Sequence, residues 1–214
     1  MDHGNVVLRF DKVSFHYDQN KPILDETSFS VRENAKITIM GQNGAGKSTI
    51  FKLILGATST KEDITSDMQL RPISGKVHIL KGASVGIGLQ VMPKRFFEHT
   101  VMEYFETAFS EKTYNLEKLI KNVLEVVQFS TDLNKKIKDF SGGQLARLLL
   151  AYALIQEPDV LLLDEPTNNL DPEGIEHLTG FLMGYEKTVI VISHDADFLN
   201  SFTDGVLNLD IYTK

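Results

Sequence analysis

Three short segments of the chain are apolar at successive positions, which is the pattern of a strand covered on both faces. They are KITIM at 36–40, VLLLD at 160–164 and TVIVIS at 188–193. A strand with one face in water would alternate apolar and polar residues instead. These segments therefore predict a parallel sheet that lies between layers of helices.

The N-terminal part of the sequence has a different pattern. The segments VVLRFDKVSFHY at 6–17 and ETSFSVRE at 26–33 alternate more strongly, and no helical segment separates them. Alternation across a short connection is typical of antiparallel pairing. We therefore expect an α/β fold whose parallel core carries a small antiparallel sheet.

Between residues 92 and 156 the strand pattern gives way to helical spacing. Apolar residues recur at intervals of three and four in TVMEYFETAF (100–109), NLEKLIKNVLEVVQF (115–129) and GGQLARLLLAYALI (142–155). We predict a single domain over 1–214, in which 1–91 and 157–214 form the core and 92–156 form an inserted helical subdomain. The polar segment 57–74 predicts a surface loop.

Composition narrows the class of protein. The 214 residues are 42% hydrophobic and 24% charged, with a net charge of -7 and without cysteine. The acidic balance argues against broad attachment to nucleic acid, and the lack of cysteine agrees with a reducing cytosol. The longest apolar run, LLLAYALI, is far shorter than the roughly 18 residues of a membrane span, and the N-terminus lacks a basic segment that leads into an apolar one. We expect a soluble, cytoplasmic protein.

The stretch GQNGAGKST at 41–49 fits the phosphate-binding pattern G-x-x-x-x-G-K-[ST], between a predicted strand and the helical STIFKLIL. Glycines let the backbone turn around phosphate oxygens, Lys47 supplies a positive charge, and the Ser48 hydroxyl suits Mg²⁺. A glycine-rich turn without a ligand is the alternative. The predicted binding residues are Gly41, Asn43, Gly44, Ala45, Gly46, Lys47, Ser48 and Thr49.

Two carboxylates, Asp164 and Glu165, stand at the end of the predicted strand VLLLD. Hydrolysis of a nucleoside triphosphate needs a metal ion and an in-line water, and two adjacent acids can serve both, one for each. Capping of the next helix would explain only one of them. His194 follows another strand at the carboxyl edge of the sheet, where ligands bind, and we assign it to the γ-phosphate rather than to a structural role.

Fragments of a GTPase pattern are also present. TKED at 60–63 fits the guanine-recognising [NT]KxD, and DPEG at 171–174 fits DxxG. They occur in the reverse of the order that a GTPase needs, so we attribute both to chance.

Taken together, the motifs resemble those of the ATP-binding cassette (ABC) family, in family order and over nearly the whole chain. GQNGAGKST resembles the Walker A loop of a P-loop NTPase, FSGGQ at 140–144 the LSGGQ signature, VLLLDEP Walker B, NNLD the D-loop and ISHD the switch histidine. The resemblance implies ATP and Mg²⁺ as ligands. It implies that Tyr17 stacks on adenine and that Gln90 reaches Mg²⁺ and the attacking water.

The same resemblance implies a separate role for each carboxylate and for each cationic side chain. Asp164 would bind Mg²⁺ together with Ser48 and Gln90. Glu165 would position or deprotonate water, while Lys47 and His194 would stabilise charge on the γ-phosphate.

The resemblance also implies a partner, because ABC cassettes pair head to tail and each signature closes over the nucleotide of the other. The partner would be a second cassette, in the same longer chain or in a homodimer. The sequence independently favours an outward-facing helix start, since Ser141 can cap the helix and a buried stripe follows it. Both loops folding onto one nucleotide is the alternative. The residues predicted to contact the partner's ATP are Ser141, Gly142, Gly143, Gln144 and Asp171.

Within the family, DEPTNNLD and VIVISHDADFLNSFTDGVLNLD resemble the ABC-F branch most, although Asn169 departs from the typical TNHLD. That branch carries two cassettes on one chain and acts on ribosomes, which implies a partner made of rRNA or tRNA. We expect this chain to be one half of such a protein, with weak ATPase activity by itself. The rival is the ATPase subunit of a transporter bound to a membrane permease; a module that does not hydrolyse ATP is disfavoured by the complete set of catalytic residues.

Overall fold

The computed structural model describes residues 5–18, 21–42, 44–58 and 69–211. In chain order its strands are β1 (Val6–Asp18), β2 (Lys21–Arg32), β3 (Lys36–Met40), β4 (Ser74–Ile79), β5 (Val85–Ile87), β6 (Val160–Asp164), β7 (Thr188–Ile192) and β8 (Gly205–Asn208). Its helices are α1 (Lys47–Gly56), α2 (Val101–Glu106), α3 (Leu116–Val126), α4 (Gly142–Ile155), α5 (Pro172–Gly184) and α6 (Ala196–Phe202).

The central sheet is parallel and has the strand order β5-β6-β7-β3-β8. Its strand β6 shows why the segment is apolar at its first four positions. Leu161 and Leu163 pack into an apolar cluster with helices α2 to α6, whereas Val160 and Leu162 pack into a second cluster with β1, β2 and α1. Because each face of the strand meets a different cluster, neither set of alternate residues is left in water.

The antiparallel sheet has the strand order β2-β1-β4. Phe10 of β1 faces Phe29 of β2, and their stacked rings lie 4.4 Å apart between centroids. Such cross-strand aromatic pairs stabilise a sheet and help to set its register. The sequence analysis predicted β1 and β2, but it predicted neither β4 nor the short strands β5 and β8.

The helical region is built around α4. Every residue from Leu148 to Leu154 is buried, so this half of the helix is enclosed on all sides rather than on one face. The rings of Tyr104 on α2 and Tyr152 on α4 stack with centroids 4.5 Å apart. The three helices predicted from their periodicity are confirmed as α2, α3 and α4.

The fold class is confirmed as α/β, with a parallel core, an antiparallel sheet and helices. The division of the chain at residues 92 and 156 stays a prediction, since the cluster that holds the helices continues into β6 and β7. Of the predicted loop 57–74, residues 59–68 lie outside the described part and Ser74 already begins β4. Within the described residues, no helix is both long and apolar enough to cross a bilayer.

Candidate nucleotide site

The loop after β3 leads directly into the first turn of α1. Gly46 caps α1 with a φ of 93°, in the left-handed region, and a Cβ atom at this position would lie 2.3 Å from Cγ2 of Ile23. Both the backbone conformation and the close approach therefore require glycine. The first turn of a helix presents unpaired N–H groups, so this loop can bind an anion.

The lysine of this loop is held by the loop itself. The Nζ of Lys47 donates a hydrogen bond of 2.8 Å to the carbonyl oxygen of Gly41. Because an ammonium group has three N–H donors, Lys47 could bind an arriving phosphate and keep this hydrogen bond. Asn43, also predicted in this loop, lies outside the described residues.

Two side chains, one from α1 and one from the segment after β5, meet at a carboxylate oxygen at the end of β6. The Oδ2 of Asp164, at the end of β6, accepts hydrogen bonds from Ser48 Oγ at 3.3 Å and from Gln90 Nε2 at 3.0 Å. Burial raises the pKa of Asp164, while the Ser48 hydrogen bond and the charge of Lys47 act in the opposite direction. The structure thus brings together the three residues predicted to bind metal.

This donor set fits Mg²⁺. A hydroxyl, a carboxylate and an amide are oxygen donors that Mg²⁺ accepts, provided that the Gln90 amide turns to present Oε1 instead of Nε2. The described residues contain no group of three or more His, Cys, Asp or Glu side chains arranged to hold a metal. Such a site would therefore need ligands from water or from the phosphates, as Mg²⁺ sites with few protein carboxylates do.

Glu165 has a backbone conformation that is rare for a residue with a side chain. Its φ is 50°, and its N–H donates a hydrogen bond of 2.8 Å to the carbonyl of Ile192 on the neighbouring strand β7. Non-glycine residues in this region cost energy and are concentrated at functional sites. The turn directs the chain away from β6 immediately after Asp164.

The Glu165 carboxylate contacts His194, which lies two residues after the end of β7. Its Oε2 accepts a hydrogen bond of 3.3 Å from the backbone N–H of His194, and its Oε1 lies 3.4 Å from His194 Nε2. The side chain of Glu165 is 18% exposed and that of His194 is 70% exposed. The acid is thus largely enclosed, whereas the imidazole extends into solvent.

Tyr17, the predicted adenine-stacking residue, lies beside the phosphate loop. The residue is 62% exposed, and its hydroxyl lies 3.3 Å from Oγ1 of Thr49, in the first turn of α1. An exposed aromatic ring near the loop leaves a face that a base could cover.

The signature segment forms a capping box at the start of α4. Ser141 Oγ accepts a hydrogen bond of 3.4 Å from the Gln144 N–H, and Gln144 Oε1 accepts one of 3.0 Å from the Ser141 N–H. Gly142 and Gly143 are exposed, and among the described residues outside this helix turn none lies within 4 Å of where a Cβ atom would stand at either position. Phe140, which replaces the leucine of the family pattern, is 8% exposed and packs beneath the amine of Lys135 at 4.3 Å from its ring centroid.

Asp171 caps α5. Its Oδ1 accepts a hydrogen bond of 2.9 Å from the N–H of Gly174, and Pro172 follows at the first helical position. This capped start accounts for the sequence DPEG without a GTPase site.

Arg147 on α4 connects the signature helix to the segment before α5, and the sequence analysis did not identify it. Its Nε donates to the carbonyl of Asn169 at 3.1 Å, and its Nη1 donates to the carbonyls of Gln128 at 2.6 Å and Val127 at 3.3 Å. Its Nη2 lies 3.9 Å from Asp171 Oδ2. A signal was present, since Arg147 is the one charged residue between Gln144 and Leu154.

A cavity of about 250 Å³ lies between β6, the segment after β5 and α4. Gln90, Asp164 and Glu165 line one side, and the α4 residues Ala146, Arg147 and Leu150 line another. The signature residues 141–144 are not among the described residues that line it. The side of α4, rather than its first turn, thus faces this chain's own carboxylates.

A glycine loop at a helix start, a lysine within it and acids at strand ends together define a P-loop nucleoside triphosphate-binding domain. Residues 24–168 match the sequence profile of the family described as ABC transporter, and this is more than half of the chain. The chain therefore belongs to the ABC transporter family of ATP-binding domains. The predicted ATP-binding cassette is confirmed.

Two curated relatives show the breadth of this likeness. The chain is 34% identical over 210 residues to the Escherichia coli (strain K12) protein described as "Probable ATP-binding protein YheS", with 94% of this chain and 30% of that protein covered. It is 35% identical over 199 residues to "Nod factor export ATP-binding protein I" of Neorhizobium galegae, with 90% of this chain and 56% of that protein covered. The chain thus spans less than two thirds of either relative.

A solved structure described as the ATP binding subunit of an ABC transporter superimposes with a TM-score of 0.77. The identity is 20%, and the alignment covers 94% of this chain and 85% of the other. At this identity the comparison establishes the fold alone.

Proposed function

We propose that this cassette hydrolyses ATP when it pairs head to tail with a second cassette, and that the paired protein is an ABC-F-type, ribosome-associated switch in the cytoplasm. The observation that carries the proposal is the convergence of Ser48, Gln90 and Asp164 at one carboxylate oxygen, with Glu165 adjacent in sequence. These side chains would meet the outer phosphates of a nucleotide bound at the loop after β3.

Each residue of the candidate site has a distinct part in the proposed reaction. Lys47 would donate to the outer phosphates while the Gly41 carbonyl continues to orient its amine, and Ser48, Asp164 and Gln90 would hold Mg²⁺. When bound, Mg²⁺ would supply positive charge that offsets the negative charge of the phosphates. Glu165 orients water and accepts its proton, and His194 stabilises charge on the γ-phosphate from the exposed side.

Pairing is supported by the exposure of the signature glycines. No described residue beyond their own helix turn fills the space where side chains of Gly142 and Gly143 would be, and the signature residues 141–144 are not among the described residues that line the cavity beside Asp164. An exposed helix start, with its positive dipole end, suits the phosphates of a second nucleotide. Tyr17 would stack on this chain's own adenine, and Ser141, Gln144 and Asp171 would contact the partner's ATP.

The test of pairing is the dependence of the ATPase rate on protein concentration. The specific rate is expected to be low at nanomolar concentration and to rise as the chain dimerises. A rapid specific rate that is independent of concentration would contradict pairing. The Glu165→Gln variant should form a dimer in Mg-ATP but not in Mg-ADP, as measured by analytical ultracentrifugation.

The ribosomal role is supported by the likeness of DEPTNNLD to the ABC-F branch. It predicts that the Glu165→Gln chain co-sediments with ribosomes in Mg-ATP more than in Mg-ADP. Equal pelleting in both nucleotides, at the level of a ribosome-free control, would contradict it. The same co-sedimentation measured on a longer protein that contains this cassette is the more sensitive test.

One observation favours the transporter subunit as the second candidate. An open groove of about 450 Å³ beside Gln90 is lined by Phe51, Leu55, Leu89 and Val91, and Val91 is 78% exposed. An apolar groove of this kind can receive a helix of a permease. The 35% identity to a relative named for Nod factor export points the same way. Nucleotide-dependent binding to a permease that Val91→Asp abolishes, without binding to ribosomes, would establish this alternative.

A further inference from the structure

The residues that follow β8 lie beside the beginning of the phosphate loop. Strands β3 and β8 are parallel neighbours, with Met40 opposite Asn208 at their ends. The chain therefore leaves both strands at the same edge of the sheet. Gly41 and Gln42 follow one strand, and Leu209 and Asp210 follow the other.

The contact between these two segments is close. A Cβ atom on Gly41 would lie 3.3 Å from the Cβ of buried Leu209 and 3.1 Å from the Cβ of Ala45. These approaches are tighter than nine in ten contacts of real Cβ atoms, so a side chain here would require its neighbours to shift. The start of the loop is thus enclosed between its own turn and the segment after β8.

One peptide group lies at the centre of this contact. The N–H of Gln42 donates a hydrogen bond of 3.1 Å to Oδ1 of Asp210. The carbonyl of the same peptide group, that of Gly41, accepts the hydrogen bond of 2.8 Å from Lys47 Nζ. Asp210 itself is oriented by Asn208, whose Oδ1 accepts a 3.0 Å hydrogen bond from the Asp210 N–H.

We propose that Asp210 is a positioning residue for the phosphate loop: its carboxylate fixes the peptide group between Gly41 and Gln42, and that peptide group holds the amine of Lys47. The proposal rests on the ATP-binding function proposed above and adds a residue from outside all of its motifs. A planar peptide group cannot rotate its carbonyl without rotating its N–H, so one acceptor on the N–H side orients the oxygen on the other side. A loop held in this way loses less freedom when the nucleotide binds.

The negative charge of Asp210 would weaken the binding of an anion, whereas its hydrogen bond to the loop would strengthen it. A carboxylate near the loop repels phosphate, so the two possible roles predict opposite results when the residue is changed. Asp210→Asn keeps an oxygen acceptor and removes the charge, whereas Asp210→Ala removes both. Asp197→Ala is the matched control, because it removes an exposed carboxylate from the first turn of α6.

The experiment measures the affinity of the 214-residue chain for ATP that carries a fluorescent N-methylanthraniloyl group, with Mg²⁺, together with the kcat and KM for ATP. Asp210→Ala is expected to weaken binding about threefold to tenfold and to raise KM with little change in kcat. Asp210→Asn and Asp197→Ala are expected to stay within about twofold of the parent. Without nucleotide, the thermal midpoint of Asp210→Ala should match that of the parent.

The other outcomes separate failure of the proposed function from failure of the positioning role of Asp210. If the parent does not bind the nucleotide, the proposed function fails together with this inference. If the parent binds and Asp210→Ala binds equally or more tightly, the positioning role alone is refuted. Loss of affinity in Asp210→Asn equal to that in Asp210→Ala, or a large fall in thermal midpoint without nucleotide, would also overturn it.

Discussion

The carboxylate of Glu165 contacts His194 through both of its oxygens. One accepts the backbone N–H of His194 at 3.3 Å, and the other lies 3.4 Å from the imidazole Nε2. The segment after β6 and the segment after β7 are therefore linked at the point where a γ-phosphate would lie in the proposed reaction. A shift of one segment relative to the other would break these contacts.

Replacing Glu165 by glutamine should separate binding from turnover. The amide keeps the size and the hydrogen-bonding reach of the side chain but cannot accept a proton from water. ATP affinity should stay within about threefold of the parent, and kcat should fall on the order of 100-fold or more. Phosphate release, measured at a protein concentration that supports pairing, tests this.

The matched control for this variant is Glu176→Gln, which neutralises an exposed carboxylate on α5. Its ATPase rate should equal that of the parent. A Glu165→Gln variant that retains more than half of the parental rate would remove Glu165 from the proposed mechanism.

Replacing Gly143 by alanine tests whether the start of α4 serves a partner. Apart from its chain neighbours and its own helix backbone, no described atom lies within 4 Å of the added methyl group, so folding should not be impaired. In a closed pair it would stand between the helix start and the partner's phosphates, and the ATPase rate should fall by about tenfold or more. The rate is measured above and below the concentration at which the chain pairs.

Gly180→Ala provides the comparison, because Gly180 is also exposed, helical and without neighbours at its Cβ position. This change should stabilise α5 by about 1 kcal/mol and leave the ATPase rate unchanged. Equal losses of rate in both variants would show that the effect is not specific to the signature segment.

Replacing Asp164 by asparagine should change stability and activity in opposite directions. Burial raises the pKa of Asp164, so the folded protein binds this proton more tightly than the unfolded chain does. The contribution of this group to stability is therefore present at low pH. It is lost as the pH rises from the unfolded pKa of about 3.9 through the raised folded value.

An asparagine side chain does not ionise, so the Asp164→Asn variant does not lose this stability as the pH rises. At neutral pH without Mg²⁺ it should therefore unfold at a higher urea concentration than the parent. The advantage should shrink as the pH is lowered toward 4. Mg-dependent turnover should fall on the order of 100-fold. Urea unfolding at several pH values tests the first claim, with Asp197→Asn as the control, and a variant that is less stable than the parent at neutral pH would contradict it.

Replacing Arg147 by lysine should loosen the connection between α4 and the D-loop. The guanidinium reaches three carbonyl groups at once, and a single ammonium at a different reach cannot reproduce that geometry. We expect a loss of about 1–2 kcal/mol in the free energy of unfolding, measured in urea.

Arg9→Lys is the control for this change. Arg9 forms a solvent-exposed ion pair with Asp11 at 3.7 Å, and such pairs contribute little. Its effect should stay within about 0.5 kcal/mol. Equal effects of the two changes would show that the carbonyl contacts of Arg147 are not stabilising.

Several features were predictable because their signals are local in the sequence. β6 and β7 are apolar at successive positions, and α3 and α4 repeat apolar residues at helical spacing. The phosphate loop requires glycine at a left-handed position, as Gly46 shows, so its pattern is also compact. Each of these patterns reflects backbone geometry or burial within about ten neighbouring residues.

The tertiary structure alone decided the rest. The strands β5 and β8 have only three and four residues, and no residue of β4 is buried, so their hydrophobic pattern is weak. They are strands because β6, β3 and β1 provide their hydrogen-bonding partners. Asp210 meets Gln42 across 168 positions of the chain, and Arg147 meets Asn169 across 22. Contacts of this kind leave no periodic trace in the sequence, because they depend on which strands lie side by side and not on the residues that adjoin each partner.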